Sequence, residues 1–141
     1  MAEVDKALSR GDAPFGAALV DSAGQVLVLA SNTSRSTGDP TAHAEINLLR
    51  QASSKLGTRK FGDYGVVTNA ASCAMCLSAM IMAGVKSYYY GAPPEPDADP
   101  PTTPEELSGI SRLKMSITSG ILAEECERQI LRDQKRRQVR R

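Results

Sequence analysis

Asp39-Pro40-Thr41-Ala42-His43-Ala44-Glu45-Ile46-Asn47-Leu48-Leu49 is the stretch whose reading decides the fold. Aspartate followed by proline marks a helix start: Asp39 can cap, and Pro40 needs no amide acceptor in the first turn. Ile46, Leu49 and Leu56 then recur at helical spacing, which predicts a helix over residues 41–55 with one apolar side. Upstream, after a short helical opening, the apolar runs 17–21 and 26–31 flank Ser22-Ala23-Gly24 and read as a hairpin. Downstream, residues 65–69 read as a short buried strand, 73–84 as a helix and 86–90 as another strand. A last strand is expected at 113–118, and a final helix from about residue 121 into the C-terminal tail. Helices alternating with strands after a first hairpin imply an α/β fold, a three-layer α/β/α sandwich on a mixed five-stranded sheet.

The 141 residues are enough for one domain, 1–141, that buries a core without disulfides. With 41% hydrophobic residues, 23% charged residues and a net charge of +1, the composition excludes disordered and fibrous classes. The opening Met-Ala-Glu-Val-Asp-Lys lacks an apolar targeting core. The most apolar stretch, 74–85, is too short to cross a bilayer and is interrupted by Ser78. Three cysteines, two of them three apart, suit a reducing compartment and a metal or catalytic role. A soluble, cytoplasmic chain without membrane contact is expected.

Charge is uneven. Residues 132–141 hold six basic groups and one acid, leaving the other 131 residues at −4. The basic tail, 131–141, either touches nucleic acid or is a solvated helix end. Between residues 93 and 106 lie six of the eight prolines and five acids with no base, which reads as an exposed loop.

The chemistry concentrates in His43-Ala44-Glu45 and Cys73-Ala74-Met75-Cys76, each at the start of a predicted helix. Cysteines at i and i+3 share a helix face. Zinc accepts thiolate sulfur and imidazole nitrogen, and three protein ligands with one open position is its catalytic arrangement. His43, Cys73 and Cys76 supply those three. Residues two apart, such as His43 and Glu45, do not share a helix face, but at a first turn both side chains can reach around the open end. That end carries partial positive charge, which favours thiolate at the cysteines.

Together these motifs resemble the cytidine/deoxycytidylate deaminase family, whose signature is H-x-E followed by P-C-x-x-C. Ala13-Pro14-Phe15-Gly16-Ala17, Asp39 to Ile46 and Cys76-Leu77-Ser78-Ala79-Met80-Ile81 are similar to the branch of tRNA adenosine, small guanine and fungal-type cytosine deaminases. Ser119 to Cys126 resembles the start of the last helix of the tRNA-editing members. The resemblance covers about residues 11–134. It implies a cytidine deaminase-like fold, Zn2+ held by His43, Cys73 and Cys76, and Glu45 as the general acid/base. It also implies substrate contacts from Asn32 and from the backbone N–H of Ala44. Asn32 in Ser31-Asn32-Thr33 has a turn residue as its alternative reading, and Phe15 reads as either pocket lining or core. One departure is plain: Ala71-Ser72 stands where the family has Glu-Pro, with Ser72 available as a helix cap.

Three functions follow as expectations. The first is hydrolytic deamination of a free nucleobase or related aminoheterocycle: guanine, cytosine, isoguanine or a triazine-like ring. The second is tRNA adenosine deamination. The third is a non-catalytic structural zinc protein, for which Cys126 would have to be the fourth ligand. The resemblance and the run Tyr88-Tyr89-Tyr90, which cannot all face one core, point to a homodimer. The acidic loop, and Ile130-Leu131-Arg132-Asp133 where the tRNA-editing relatives place aromatics, favour a small-molecule base over nucleic acid.

Overall fold

Alternating apolar positions on adjacent strands build the centre of the molecule. The computed structural model describes residues 2–139; Met1 and the tail residues Arg140 and Arg141 lie outside it. Strands β1 (Gly16–Val20) and β2 (Val26–Ser31) form the expected antiparallel hairpin, and β1 also pairs antiparallel with β3 (Gly65–Ala70). β4 (Ser87–Ala92) runs parallel to β3, and β5 (Ser116–Thr118) runs parallel to β4. The result is a mixed five-stranded sheet in the order β2-β1-β3-β4-β5.

Ala17, Leu19, Val28, Ala30, Val66, Tyr88 and Tyr90 share one buried cluster with Ala44, Leu48 and Ala52 of α3 (Ala44–Leu56) and Leu77 and Met80 of α4 (Ala74–Met82). The opposite sheet face carries α1 (Ala2–Arg10), packed on β1 and β2, and α6 (Ala123–Val139), packed on β3 and β4, with a cleft between them over Ala18, Val67 and Asn69. The sandwich therefore has the three layers expected.

The elements depart from the sequence reading in definite places. α3 begins at Ala44, with His43 extended at its N-cap (φ −70°, ψ 157°). Asp39 caps a turn instead: its Oδ1 accepts from Thr41 N at 2.9 Å and Thr41 Oγ1 at 2.7 Å. Ala44, Glu45, Leu48 and Ala52 are the fully buried residues of α3, and Leu49 and Leu56 of the expected apolar side pack, partly buried, against the same core. Ala44 and Ala52 add small buried positions that the bulky residues alone did not mark. α4 begins at Ala74, and Cys73 is the N-cap residue, without a side-chain capping bond. Ser72 turns away from that role and bonds Tyr88 Oη.

The acidic stretch is not simply exposed. Pro104 is buried at the start of α5 (Pro104–Gly109), where Thr103 and Glu106 form a reciprocal capping box. A short α2 (Ser34–Thr37) follows β2, and α6 starts at Ala123. Tyr88 and Tyr90 are both inside, 0% and 5% exposed, and half-buried Tyr89 faces away from them. The tyrosine run therefore gives no argument for pairing.

Candidate metal centre and active site

Two helix N-termini meet beyond the ends of β2 and β3. Extended backbone at His43 and Cys73 (φ −69°, ψ 171°) swings both side chains beyond their helices. Cys76 returns from the first turn of α4 to the same point. Because His43 is a cap residue, the 200° separation that two interior helix positions would impose on His43 and Glu45 does not apply.

His43 Nδ1 lies 3.6 Å from Cys73 Sγ and 3.4 Å from Cys76 Sγ, and the three ligand atoms all fall within 4.8 Å of one another. Zinc–nitrogen and zinc–sulfur bonds of about 2.0–2.3 Å at tetrahedral angles separate nitrogen from sulfur by about 3.6 Å. The residues present fit a tetrahedral zinc with one position open. Cys126 is elsewhere, packed with Ala70 and Ala92, so among the described residues the metal-capable group has three members. A closed, four-protein-ligand structural site is not formed.

The electrostatics agree. The Cys73 thiol is drawn down to about 4, first by the hydrogen bond from Cys76 and then by His43, against burial that raises it. Cys76 is pushed up by its bond to Cys73 and by burial. The hydrogen bonds from His43 and between the two sulfurs favour a thiolate at Cys73. His43 is raised, chiefly by Cys73. Glu45, 7% exposed, is raised by burial, with Ser72 and Cys76 pulling the other way.

Glu45 and His43 border a cavity of about 190 Å³ that also takes in Phe15, Asn32, Thr68, Ser72 and Cys73. That is below the roughly 300–1,000 Å³ of drug-sized sites and suits a single small ring system. Asn32 is 3% exposed; its Oδ1 accepts from Ser34 N at 3.0 Å and Ser34 Oγ at 2.8 Å, which leaves the amide nitrogen available to a ligand. Ala44 keeps its side chain in the core, and its N–H is one of those a helix N-terminus leaves without an intrahelical acceptor. Asn47 Nδ2 ties α3 to Ser31 O and Thr33 Oγ1, at 2.9 and 3.0 Å, and steadies the Asn32 loop.

The acidic loop that weighed against nucleic acid in the sequence supplies the outer wall. Pro93, Pro94, Glu95, Ala98, Asp99 and Thr102 fold over the cavity, so two of the loop's carboxylates stand at its edge. Burial, with help from Asp97 and Asp133, raises the Glu95 carboxyl. The acid count was visible in sequence, but no periodicity tells which residues of a proline loop turn inward. The buried hydroxyl cluster of Thr68, Ser72 and Tyr88 behind the site was missed as well, since hydroxyls in strands look like ordinary packing.

This fold and site define a class: α/β proteins that hold one zinc between two helix N-termini beside a buried glutamate. The family model of the cytidine and deoxycytidylate deaminase zinc-binding region matches residues 1–92, and the chain belongs to that family. It is 32% identical over 130 residues to the tRNA-specific adenosine deaminase of Haemophilus influenzae, covering 89% of this chain and 73% of that one. The structure of guanine deaminase from Nitrosomonas europaea superposes with a TM-score of 0.80 at 25% identity, over 94% of this chain and 76% of that one. A 92-residue match at 37% identity to the tRNA(Ile)-lysidine synthase of Deinococcus radiodurans covers 65% of this chain but only 16% of that protein. Among the described residues no helix is long and apolar enough to cross a membrane.

Proposed function

We propose that this protein hydrolyses the exocyclic amine of a free nucleobase or related aminoheterocycle (guanine, cytosine, isoguanine or a triazine-like ring), taking up water and releasing ammonia as the ring gains a carbonyl. Family membership supports hydrolytic deamination, and the free-base reading goes further. The observation that carries it is the cavity wall, where Glu95 and Asp99 replace the cations that a phosphate backbone needs.

Zinc, held by His43 Nδ1, Cys73 Sγ and Cys76 Sγ, would supply the Lewis acidity that brings the pKa of water toward neutrality. Glu45 is the proton carrier. Its carboxylate takes the proton of the attacking water, delivers it to a ring nitrogen, and later helps the amine leave as ammonia. Burial raises the Glu45 carboxyl above its ordinary value, the direction that suits a group which must both take and return a proton. Asn32 Nδ2 and the Ala44 N–H donate to acceptors on the ring and set its orientation. Walls of proline and alanine keep bulk water from the ring.

A second reading, inosine formation in tRNA, is favoured by likeness to the Haemophilus enzyme and by Arg132, Lys135 and Arg136 on the exposed side of α6. A panel assay for ammonia over free bases, nucleosides and an anticodon stem-loop separates the two. Turnover of a free ring is expected. Inosine in the stem-loop at physiological salt, with no free ring deaminated, would overturn the proposal.

A further inference from the structure

We propose that Tyr88 is a positioning residue for the metal centre: its buried hydroxyl anchors the turn that delivers Cys73. The turn runs from Ala70, where β3 ends, to Cys73 at the cap of α4. Ala71 N is held by Ala92 O at 2.9 Å. Ser72 N donates to Tyr88 Oη at 3.0 Å, and Ser72 Oγ lies 2.7 Å from the same oxygen. Ala70 O accepts from Thr68 Oγ1 at 2.6 Å, with Tyr88 Oη at 3.3 Å.

One arrangement of the protons satisfies the whole group. A carbonyl only accepts, so the one Thr68 proton goes to Ala70 O. The Thr68 oxygen, 2.6 Å from Tyr88 Oη, then receives the phenol proton. Tyr88 Oη keeps its lone pairs for the Ser72 amide, while Ser72 Oγ, 2.7 Å away, also bonds Glu45. Every hydroxyl proton in the group has an acceptor, and Ser72 is only 4% exposed, so little water can substitute.

The arrangement explains the departure at position 72. In the P-C-x-x-C signature the residue before the first cysteine is proline, which fixes φ and has no N–H to satisfy. Serine brings a buried N–H, and Tyr88 supplies its acceptor. Tyr88 is 0% exposed, opposite Val66 on β4, and is not part of the cavity wall. Its role is to hold the residue that precedes the ligand Cys73, and outer partners that orient ligands are worth about 10–100-fold in metal affinity.

Zinc affinity measured by chelator competition tests this without reference to any substrate, so it can fail while the proposed reaction stands. Tyr88→Phe should weaken zinc binding about 10–100-fold. Tyr90→Phe is the control. It removes a tyrosine hydroxyl from the same strand, part-buried and bonded to Glu105 Oε1 at 2.7 Å away from the turn, and should leave affinity within about twofold. In a Ser72→Pro background, where the amide is gone, Tyr88→Phe should cost less than about threefold. Wild-type affinity in Tyr88→Phe, an equal loss in Tyr90→Phe, or the same cost in both backgrounds would overturn the proposal.

Discussion

Asp12 shows how much of the site's order depends on residues that do no chemistry. It is fully buried, yet accepts from Ser36 N and Ser36 Oγ at 2.7 Å each and from Arg10 Nε at 2.9 Å. Arg10 also reaches Ser31 Oγ and Asn32 O, so the pair anchors the loop that carries Asn32. Burial raises the Asp12 carboxyl, but the Ser36 and Arg10 hydrogen bonds outweigh it and hold it below 3.8. A depressed carboxyl stabilises the fold above its unfolded value, and that increment is lost as pH falls through the folded value. Urea melts should therefore show stability dropping below about pH 4. Asp12→Asn should flatten that drop and cost about 1–3 kcal/mol at neutral pH. An unchanged melt at pH 7 would count against the anchor. Single residues were where the sequence was most readable: His43, Glu45, Cys73 and Cys76 belong to the few types that ligate or shuttle protons. Asp12 was unreadable for the opposite reason, since an acid near a helix end is usually solvated.

At the scale of elements, strand and helix types were legible but their first residues were not. Capping preferences favour Asp39 and Ser72, yet His43 and Cys73 occupy the caps without capping bonds. The chain gives up local stabilisation at two helix starts to aim side chains at one point. The docking of α6 onto β4 was equally hidden. A Cβ added at Gly91 would meet Cys126 Sγ, lie 2.7 Å from Ile121 O and 3.0 Å from Asn69 O. Two of those atoms are backbone and cannot swing away. Gly91→Ala should therefore destabilise by about 1–3 kcal/mol, read as a lower denaturant midpoint. A neutral effect would mean that α6 sits more loosely than its contacts imply. Cys126, the odd thiol in the sequence, is explained by this close packing.

For the whole molecule, order and layering followed from pattern, whereas partnership did not. Two tyrosines proved to be core, but α4 still exposes Met82 at 77% on the side of the metal-site helices. We expect a dimer formed across that face; light scattering at micromolar concentration should give twice the 15.0 kDa chain mass, and a monomer would refute it. Charge is likewise a property of the whole: the acidic loop closes the cavity while basic groups gather on α6. The central claim is that zinc and Glu45 together perform hydrolytic deamination in this cavity. Its most direct test measures ammonia release and zinc content on the same samples of wild type and Glu45→Ala. The account predicts one zinc per chain in both, with turnover in the variant lower by at least about a hundredfold. Glu45→Ala protein that keeps its zinc and releases ammonia at the wild-type rate would contradict it.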